Sequence, residues 1–326
     1  MWKRKRYQNV WPLDEIASEK PKGWTGWPER KQFTLVLQHD VDTFKGHEEC
    51  RGLMELEEKM GFRSSFNFVP ERYPISSDLR QSLVERGFEI GVHGLKHDGK
   101  LFLSREEFQK QAVRIRRYLD DWQSVGFVSP SMHRNLDWIC ELGIEHDTST
   151  FDTDPFEPQP DGVKTIFPFW VTGDGQAATA SAISLTPGSI GAELQPATRN
   201  QELVTRNLPL ATRHSSLAAV SQRGFVELPY TLPQDFTLFI LMKEKNIDIW
   251  KKKLDWIVER GGMALLITHP DYMNCNKGRC RIEEYPMKYY EEFLDYIKDK
   301  YEGQFWSPLP KEMARFWKGR MMASKL

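Results

Sequence analysis

The sequence predicts an α/β fold, a single distorted (β/α) barrel of about seven strands that is interrupted by a low-complexity insertion. Short apolar runs alternate with amphipathic helical patterns along the chain, which is typical of parallel strands wrapped by helices. At least six or seven such units occur, and this number favours a closed or nearly closed barrel over an open sheet. Polar residues also follow several strands, where the carboxyl ends of barrel strands form one rim.

Seven segments have the apolar character and the length of buried strands. They are FTLVLQ (33–38), SSFNFV (64–69), FEIGVH (88–93), GFV (126–128), GIEHDTS (143–149), GFVELPY (224–230) and GMALLITH (262–269). Amphipathic helices are predicted between them. The clearest helix has one apolar stripe at helical spacing, formed by Phe108, Ala112, Ile115, Leu119 and Trp122.

Size and composition exclude several classes of protein. The chain has 326 residues and a net charge of −1, so nothing indicates a nucleic-acid partner. No run approaches the roughly 18 apolar residues of a membrane span. The basic N-terminus lacks the apolar region of a secretory signal, and four cysteines in this length do not make a disulfide scaffold. We therefore expect a cytoplasmic protein, whose oligomeric state the sequence leaves open.

The predicted barrel occupies residues 33–170 and 225–317, with an N-terminal extension at 1–32 and a C-terminal tail at 318–326. Residues 171–224 are predicted to be a flexible insertion. They contain no aromatic residue, although the chain has 11 Trp, 10 Tyr and 19 Phe. They include three near-copies of a seven-residue unit, ATRNQEL, VTRNLPL and ATRHSSL (197–217). Pro209 inside one copy makes a coiled coil a poor alternative, whereas a lid over the site stays open.

Two carboxylates follow the first strand in the motif HDVD. Side chains alternate in a strand, so Asp40 and Asp42 face one side while His39 and Val41 face the other. Two carboxylates on one face repel each other unless a cation or a proton separates their roles. The alternative is a strand-end cluster in which Asp42 caps the next helix.

Two histidines follow the third strand, in HGLKH, and a metal ion bound by them would reduce this repulsion. His93 and His97, with an aspartate from another strand, supply the three ligands of an open zinc-type site. One carboxylate of the HDVD pair can then act as a base while the other binds the metal. His269, at the end of the last predicted strand, can protonate a leaving group from the opposite side.

These residues resemble the polysaccharide deacetylases of the NodB-homology family. HDVD is similar to the first motif of the family, which implies that Asp40 is the base and Asp42 a metal ligand. HGLKH matches the second motif, which implies that His93 and His97 bind the metal. LLITH resembles the fifth motif, which implies that Leu266 lines the acetyl pocket. The same motif makes His269 the acid.

The third and fourth motifs depart from the family pattern. VSPS lies where the third motif is expected and implies substrate contacts from Ser129, Pro130 and Ser131. Val128 stands where the family has an arginine that orients the base, and Ser131 stands where it has an aromatic residue. For the fourth motif, three aspartates compete to orient His269, and the strand-end position favours Asp147 over Asp152 and Asp154.

The expected function is a metal-dependent hydrolase of carbon–nitrogen bonds that removes N-acetyl groups from an amino sugar in a poly- or oligosaccharide. The expected cofactor is one divalent ion, preferably zinc. STFDTDPFEPQPDGV and ELPYTLPQD resemble a branch found with bacterial exopolysaccharide synthesis. Two alternatives stay open: an amidohydrolase on a small non-sugar amide, and a catalytically impaired, metal-bearing saccharide-binding protein.

Overall fold

The computed structural model describes residues 6, 11–173, 177–178, 224–275 and 279–323. Its strands, in chain order, are β1 (Phe33–Val41), β2 (Ser65–Phe68), β3 (Glu89–His93), β4 (Gly126–Val128), β5 (His146–Asp147), β6 (Phe169–Thr172), β7 (Ala177–Ala178), β8 (Gly224–Glu227), β9 (Met263–Thr268), β10 (Met273–Asn274), β11 (Tyr285–Pro286) and β12 (Phe305–Trp306). Its α-helices are α1 (Phe44–Met60), α2 (Ser77–Glu85), α3 (Arg105–Trp122), α4 (Leu136–Ile139), α5 (Asp248–Arg260), α6 (Lys288–Tyr301) and α7 (Pro310–Ala323). No described helix is both long enough and apolar enough to cross a membrane.

One curved sheet organises the molecule. Eight of its strands pair in parallel: β1 lies next to β2, β9 and β12, and the sheet continues through β3, β4 and β5 to β8. A bridge between Leu232, after β8, and Leu266 of β9 brings the two ends of this sheet together. The predicted (β/α) barrel is confirmed, with β6 and β7 added in antiparallel pairing beyond β8.

Strand β1 shows how the sequence builds both sides of the sheet. All nine of its residues are buried, because helices cover one face and the barrel interior lies on the other. His39 faces the helices, where its Nε2 lies 2.9 Å from Glu57 Oε1 of α1. Asp40 faces the interior, where it contacts Asn67 of β2. The predicted alternation along HDVD is therefore present.

The N-terminal segment from residue 11 packs against the barrel rather than standing apart from it. Trp11, Ala17 and Trp27 are buried in the main core, and Trp27 Nε1 donates to Gly261 O over 2.9 Å. At the other end of the chain, α7 continues to Ala323, so the boundary predicted at residue 318 falls inside a helix. The large apolar area of the tryptophans explains why both ends join the core.

The predicted insertion begins and ends inside paired strands. Val171 is buried in β6, and Thr172 of β6 pairs with Gly224 at the start of β8. The two ends of the insertion are therefore neighbours in the sheet. Its repeats, at 197–217, lie outside the described residues, so its flexibility stays a prediction.

Candidate active site

Three predicted metal ligands meet at the carboxyl ends of β1 and β3. Asp42 follows β1, His93 ends β3, and His97 lies four residues later. Asp42 Oδ1 is 3.3 Å from His93 Nε2 and 3.4 Å from His97 Nε2. One ligand atom from each residue lies within 4.8 Å of the others, a spacing that suits a shared cation.

Backbone contacts prepare His93 for this role. His93 Nδ1 lies 3.1 Å from Val128 O of β4. Because a carbonyl oxygen only accepts, Nδ1 carries the proton, and Nε2 presents its lone pair toward Asp42. A hydrogen bond to the imidazole nitrogen that does not bind the metal is the usual way in which proteins orient a metal-binding histidine.

The loop that carries His97 is packed against the segment after β4. His97 has a φ of 54° and Gly94 a φ of 61°, both left-handed. A Cβ atom at Gly94 would lie 2.4 Å from Pro130 Cγ, so glycine permits this close approach. Pro130, predicted to contact substrate, therefore packs under the metal loop.

The other two residues of the VSPS segment lie in different surroundings. Ser129 is buried, its N–H donates to Ser149 Oγ over 2.8 Å, and its hydroxyl donates to His133 O. Ser131 is exposed in a 3₁₀ turn over Pro130–Met132. Only Ser131 is thus open to a substrate.

A buried, unpaired oxygen supports the fit of a cation. Asp42 Oδ1 is buried and accepts no hydrogen bond from the described residues. An orphaned carboxylate oxygen is costly to bury, and a divalent ion between Asp42 and the two imidazoles would satisfy it. Burial would raise the pKa of the Asp42 carboxyl, but the nearby histidine rings outweigh burial and hold that pKa below its ordinary value.

The surroundings shift the pKa values of the two histidines in opposite directions. Burial opposes charge on His93, but Asp40 and Asp42 outweigh it and raise the pKa of His93. At His97, burial lowers the pKa despite the nearby Asp42. Because an imidazole binds a metal only through an unprotonated nitrogen, the raised pKa of His93 makes protons compete with a cation, and we expect cation binding to weaken as the pH falls.

Asp271, three residues after β9, binds the backbone around Asp42, one of the predicted metal ligands. Its Oδ2 accepts from the backbone N–H of Asp42 over 2.9 Å, and its Oδ1 accepts from that of Thr43 over 2.8 Å. A Cβ atom at Gly46 would lie 2.3 Å from Asp271 Oδ2, so glycine leaves room for this carboxylate. The two residues that precede α1 are thereby held by a residue 228 positions away from Thr43.

The proposed base, Asp40, lies beside the metal cluster and is only 1% exposed. Its Oδ1 accepts hydrogen bonds from Gln38 Nε2 over 3.1 Å and from Asn67 Nδ2 over 2.8 Å. Both donors are neutral amides. Val128 is aliphatic and buried, so this position of β4 offers no hydrogen-bond donor to the site.

His269 pairs with Asp235, and the prediction of Asp147 as its partner is wrong. His269 Nδ1 lies 2.7 Å from Asp235 Oδ1, and the His269 N–H donates to Asp235 Oδ2 over 2.8 Å. Tyr285 OH also donates to Asp235 Oδ2 over 3.0 Å. Burial opposes charge on His269, but the Asp235 carboxylate outweighs it and raises the pKa of His269 to about 10.

The three aspartates considered from the sequence bind other groups. Asp147 Oδ1 accepts from Ser149 Oγ over 2.7 Å. Burial raises the pKa of Asp147, which lies against Glu227. Asp152 pairs with Lys253, and Asp154 Oδ2 accepts from the hydroxyl of Tyr230. Each carboxylate is buried and binds a group other than His269.

A cavity of about 510 Å³ opens beside Asp42 and His97, with Arg72 and Tyr272 also in its wall. Its volume is typical of sites for small organic ligands. Tyr272 connects this wall to the proposed acid, because its ring centroid lies 5.2 Å from that of His269. Leu266 is buried in β9, 1% exposed, three residues before His269.

Sequence reasoning missed Asp235, Asp271 and Asn67. Asp235 ends the segment ELPYTLPQD, immediately before a π-helical turn over Phe236–Leu241, a kind of turn that often marks functional sites. Asp271 lies two residues after His269 in THPDY. Asn67 could have been found because it is a polar residue within the strand pattern SSFNFV.

No family model and no curated protein matches the chain. Several solved structures have the same fold. A protein of Mycobacterium smegmatis, described as a polysaccharide deacetylase, aligns with a TM-score of 0.60 and 14% identity, covering 93% of this chain and 96% of its own. A second such protein, from Pseudomonas aeruginosa PAO1, aligns with a TM-score of 0.57 and 14% identity, covering 94% and 98%.

The chain has the polysaccharide deacetylase fold. An enzyme of another name shares it: Puue allantoinase aligns with a TM-score of 0.57 and 14% identity, covering 95% of this chain and 98% of its own. At 14% identity, these similarities show that the folds are alike and do not show a shared substrate. The choice of substrate has to come from the site itself.

Proposed function

We propose that the chain is a divalent-metal-dependent deacetylase that removes N-acetyl groups from an amino sugar of a poly- or oligosaccharide. The observation that carries this proposal is the meeting of Asp42, His93 and His97 on one rim, with Asp40 beside them. The His269–Asp235 pair completes the set with a proton donor. Base, metal ligands and acid are the groups that amide hydrolysis needs.

Asp42, His93 and His97 would hold the cation, and zinc suits two imidazoles and one carboxylate. When bound, the ion supplies Lewis acidity toward the acetyl carbonyl. Asp40 accepts the proton of the attacking water, since its carboxylate lies next to the ligand set without belonging to it. In this proposal Asp42 binds the cation and Asp40 acts as the base, which separates the roles of the two neighbouring carboxylates.

His269 acts as the acid toward the leaving nitrogen. Asp235 binds Nδ1 and leaves Nε2 to carry the transferable proton. The raised pKa of His269, about 10, keeps it protonated at neutral pH. Protonation of the departing amine prevents collapse back to the amide.

A backbone N–H near Ser131 is proposed to support the developing oxyanion. The N–H groups of Met132 and His133 donate within the turn, to Ser129 O and Pro130 O. The Ser131 N–H is therefore the donor that this turn leaves for a substrate oxygen.

The test is acetate release from a panel of N-acetylated saccharides, including exopolysaccharide fragments, by the metal-loaded protein. The variant His93→Ala, His97→Ala should lose both the metal and acetate release, whereas His133→Ala should keep the metal. Full metal content in the double variant would show that the ligand set is wrong. Acetate release by the metal-stripped protein at the rate of the loaded protein would exclude the proposed role of the ion.

A second candidate is hydrolysis of a small amide, favoured by the shared fold of Puue allantoinase. The same panel should then include cyclic and linear ureides and amides. Turnover of these compounds together with no acetate from any saccharide would select this candidate. Saccharide and metal binding without any turnover would instead indicate the binding protein.

A further inference from the structure

Two buried amide side chains fix one oxygen of the proposed base. Gln38 and Asn67 both donate to Asp40 Oδ1, and each is 1% exposed. Hydrogen bonds to a charged acceptor are among the stronger ones in proteins, and burial removes water as a competitor. The carboxylate is therefore held by two neutral donors.

The orientation of the Gln38 amide is set by a further bond. Thr148 Oγ1 donates to Gln38 Oε1 over 3.0 Å, and Thr148 is fully buried. Since Oε1 accepts from Thr148, the NH₂ end of the amide must face Asp40. A chain of hydrogen bonds thus runs from the segment after β5 to the base.

The position of the Asn67 side chain depends on a glycine in the neighbouring strand. Asp40, Asn67 and Gly91 are directly paired across β1, β2 and β3. A Cβ atom at Gly91 would lie 1.8 Å from Asn67 Oδ1, so any other residue there would displace the Asn67 amide. The register of three strands and one glycine together direct this donor onto Asp40.

The other oxygen of Asp40 is left without a donor: among the described residues, Oδ2 accepts no hydrogen bond. We infer that Gln38 and Asn67 are positioning residues that hold Oδ1 and thereby present Oδ2 to the attacking water. This inference rests on the proposed function, in which Asp40 is the base. Both residues act through Asp40 and touch no substrate.

Turnover of four chains tests whether the amides act through Asp40: wild type, Asn67→Leu, Asp40→Asn and the combined variant. Asn67→Leu keeps the volume but removes the donor, and should lower kcat by about 10-fold or more with KM and metal content little changed. In the Asp40→Asn background the same change should have almost no further effect on kcat. An equal loss of kcat in both backgrounds would overturn the inference. Ser65→Ala, on the same strand face and equally buried, is the matched control.

A structural measurement decides the inference independently of turnover. Crystal structures of the wild type and of Gln38→Leu, Asn67→Leu should show the Asp40 carboxylate rotated in the double variant, with the metal cluster unchanged. An unchanged carboxylate in that variant would overturn the positioning role, even if the enzyme is an active deacetylase. A rotated carboxylate in a protein that releases no acetate would sustain the positioning role and contradict the proposed function.

Discussion

Asp40, in β1, and Asp42, just after it, are two residues apart, yet their partners differ in kind. Asp42 faces two imidazole nitrogens at 3.3 and 3.4 Å, the donors that a transition metal prefers. Asp40 faces two amide NH₂ groups, which bind a carboxylate but no cation. The neighbours of each carboxylate, rather than its own chemistry, separate the ligand from the base.

The first prediction concerns Asp40→Asn. The amide cannot accept a proton, so turnover should fall by roughly 100-fold or more. Metal content, measured by elemental analysis of the purified protein, should stay near that of the wild type. Asp42→Asn is the comparison and should lose most of the metal. Equal metal loss in the two variants would make Asp40 a ligand and remove the division of labour.

The second prediction concerns Asp235→Asn and pH. The Asp235 charge outweighs burial and raises the pKa of His269 to about 10, so its removal should lower that pKa. As an acid, His269 must be protonated, and activity is lost as the pH rises through its pKa. The alkaline limb of kcat/KM should therefore move to lower pH by about one unit or more. Asp147→Asn, which does not touch His269, should leave that limb in place.

Local sequence could predict that the proposed metal ligands lie together, but not the partner of the proposed acid. His93 and His97 lie in one short motif, and strand alternation places Asp40 with Asp42, so both relations are readable within a few residues. Asp235 reaches His269 across 34 positions through the closure of the barrel. The sequence favours Asp147 because it ends a strand, a property that says nothing about which strand lies next to His269.

At the scale of elements, β1, β9 and α1 form one unit around the site. β1 and β9 pair over six residues, from Thr34 with Met263 to His39 with Thr268. Asp271, three residues after β9, accepts from the backbone N–H groups of Asp42 and Thr43, just before α1. Asp42, the proposed metal ligand, is therefore held between the end of the paired strand β1 and a distant carboxylate.

The third prediction is that Asp271→Ala weakens both the fold and the metal site. Two backbone N–H groups lose their acceptor, which should lower the free energy of unfolding by about 1–3 kcal/mol. Because Asp42 is then less well held, metal affinity should fall by about 10- to 100-fold. Chemical denaturation and metal titration measure the two effects. Asp248→Ala, which removes an exposed acidic residue from the first turn of α5, should change neither.

Periodicity could predict the helices and strands, but not how the chain ends join them. The apolar stripe of α3 is visible as a repeat, and its residues Phe108, Ala112, Ile115 and Leu119 are buried in the structure. Trp11 and Trp27, which lie before residue 33, show no such repeat. They are buried in the core because an irregular segment can still bury large rings against a barrel.

At the scale of the whole molecule, the insertion joins two neighbouring strands. Thr172 and Gly224 are directly paired, so a short connection can replace the residues between them. The fourth prediction is that a Gly-Ser linker in place of residues 174–222 leaves the thermal unfolding temperature within a few degrees of the wild type, since loop closure depends weakly on length. Calorimetry and acetate release measure the outcome. Unfolding of the shortened chain would place the segment in the core, and a folded but inactive chain would favour the lid.

Because the chain is synthesised from its N-terminus, the residues of the proposed site are made in two stages. Asp40, Asp42, His93 and His97 all precede the insertion, whereas Asp235 and His269 follow it. A nascent chain that has just emerged to residue 178 already contains every proposed metal ligand and the base, but no acid. The proposed ligands are thus synthesised first, but Asp271 and β9, which hold Asp42 in place, come only after the insertion. A break between residues 179 and 223 would divide the protein into a fragment with the proposed metal ligands and a fragment with the proposed acid and Asp271, so that catalysis would report their reassembly.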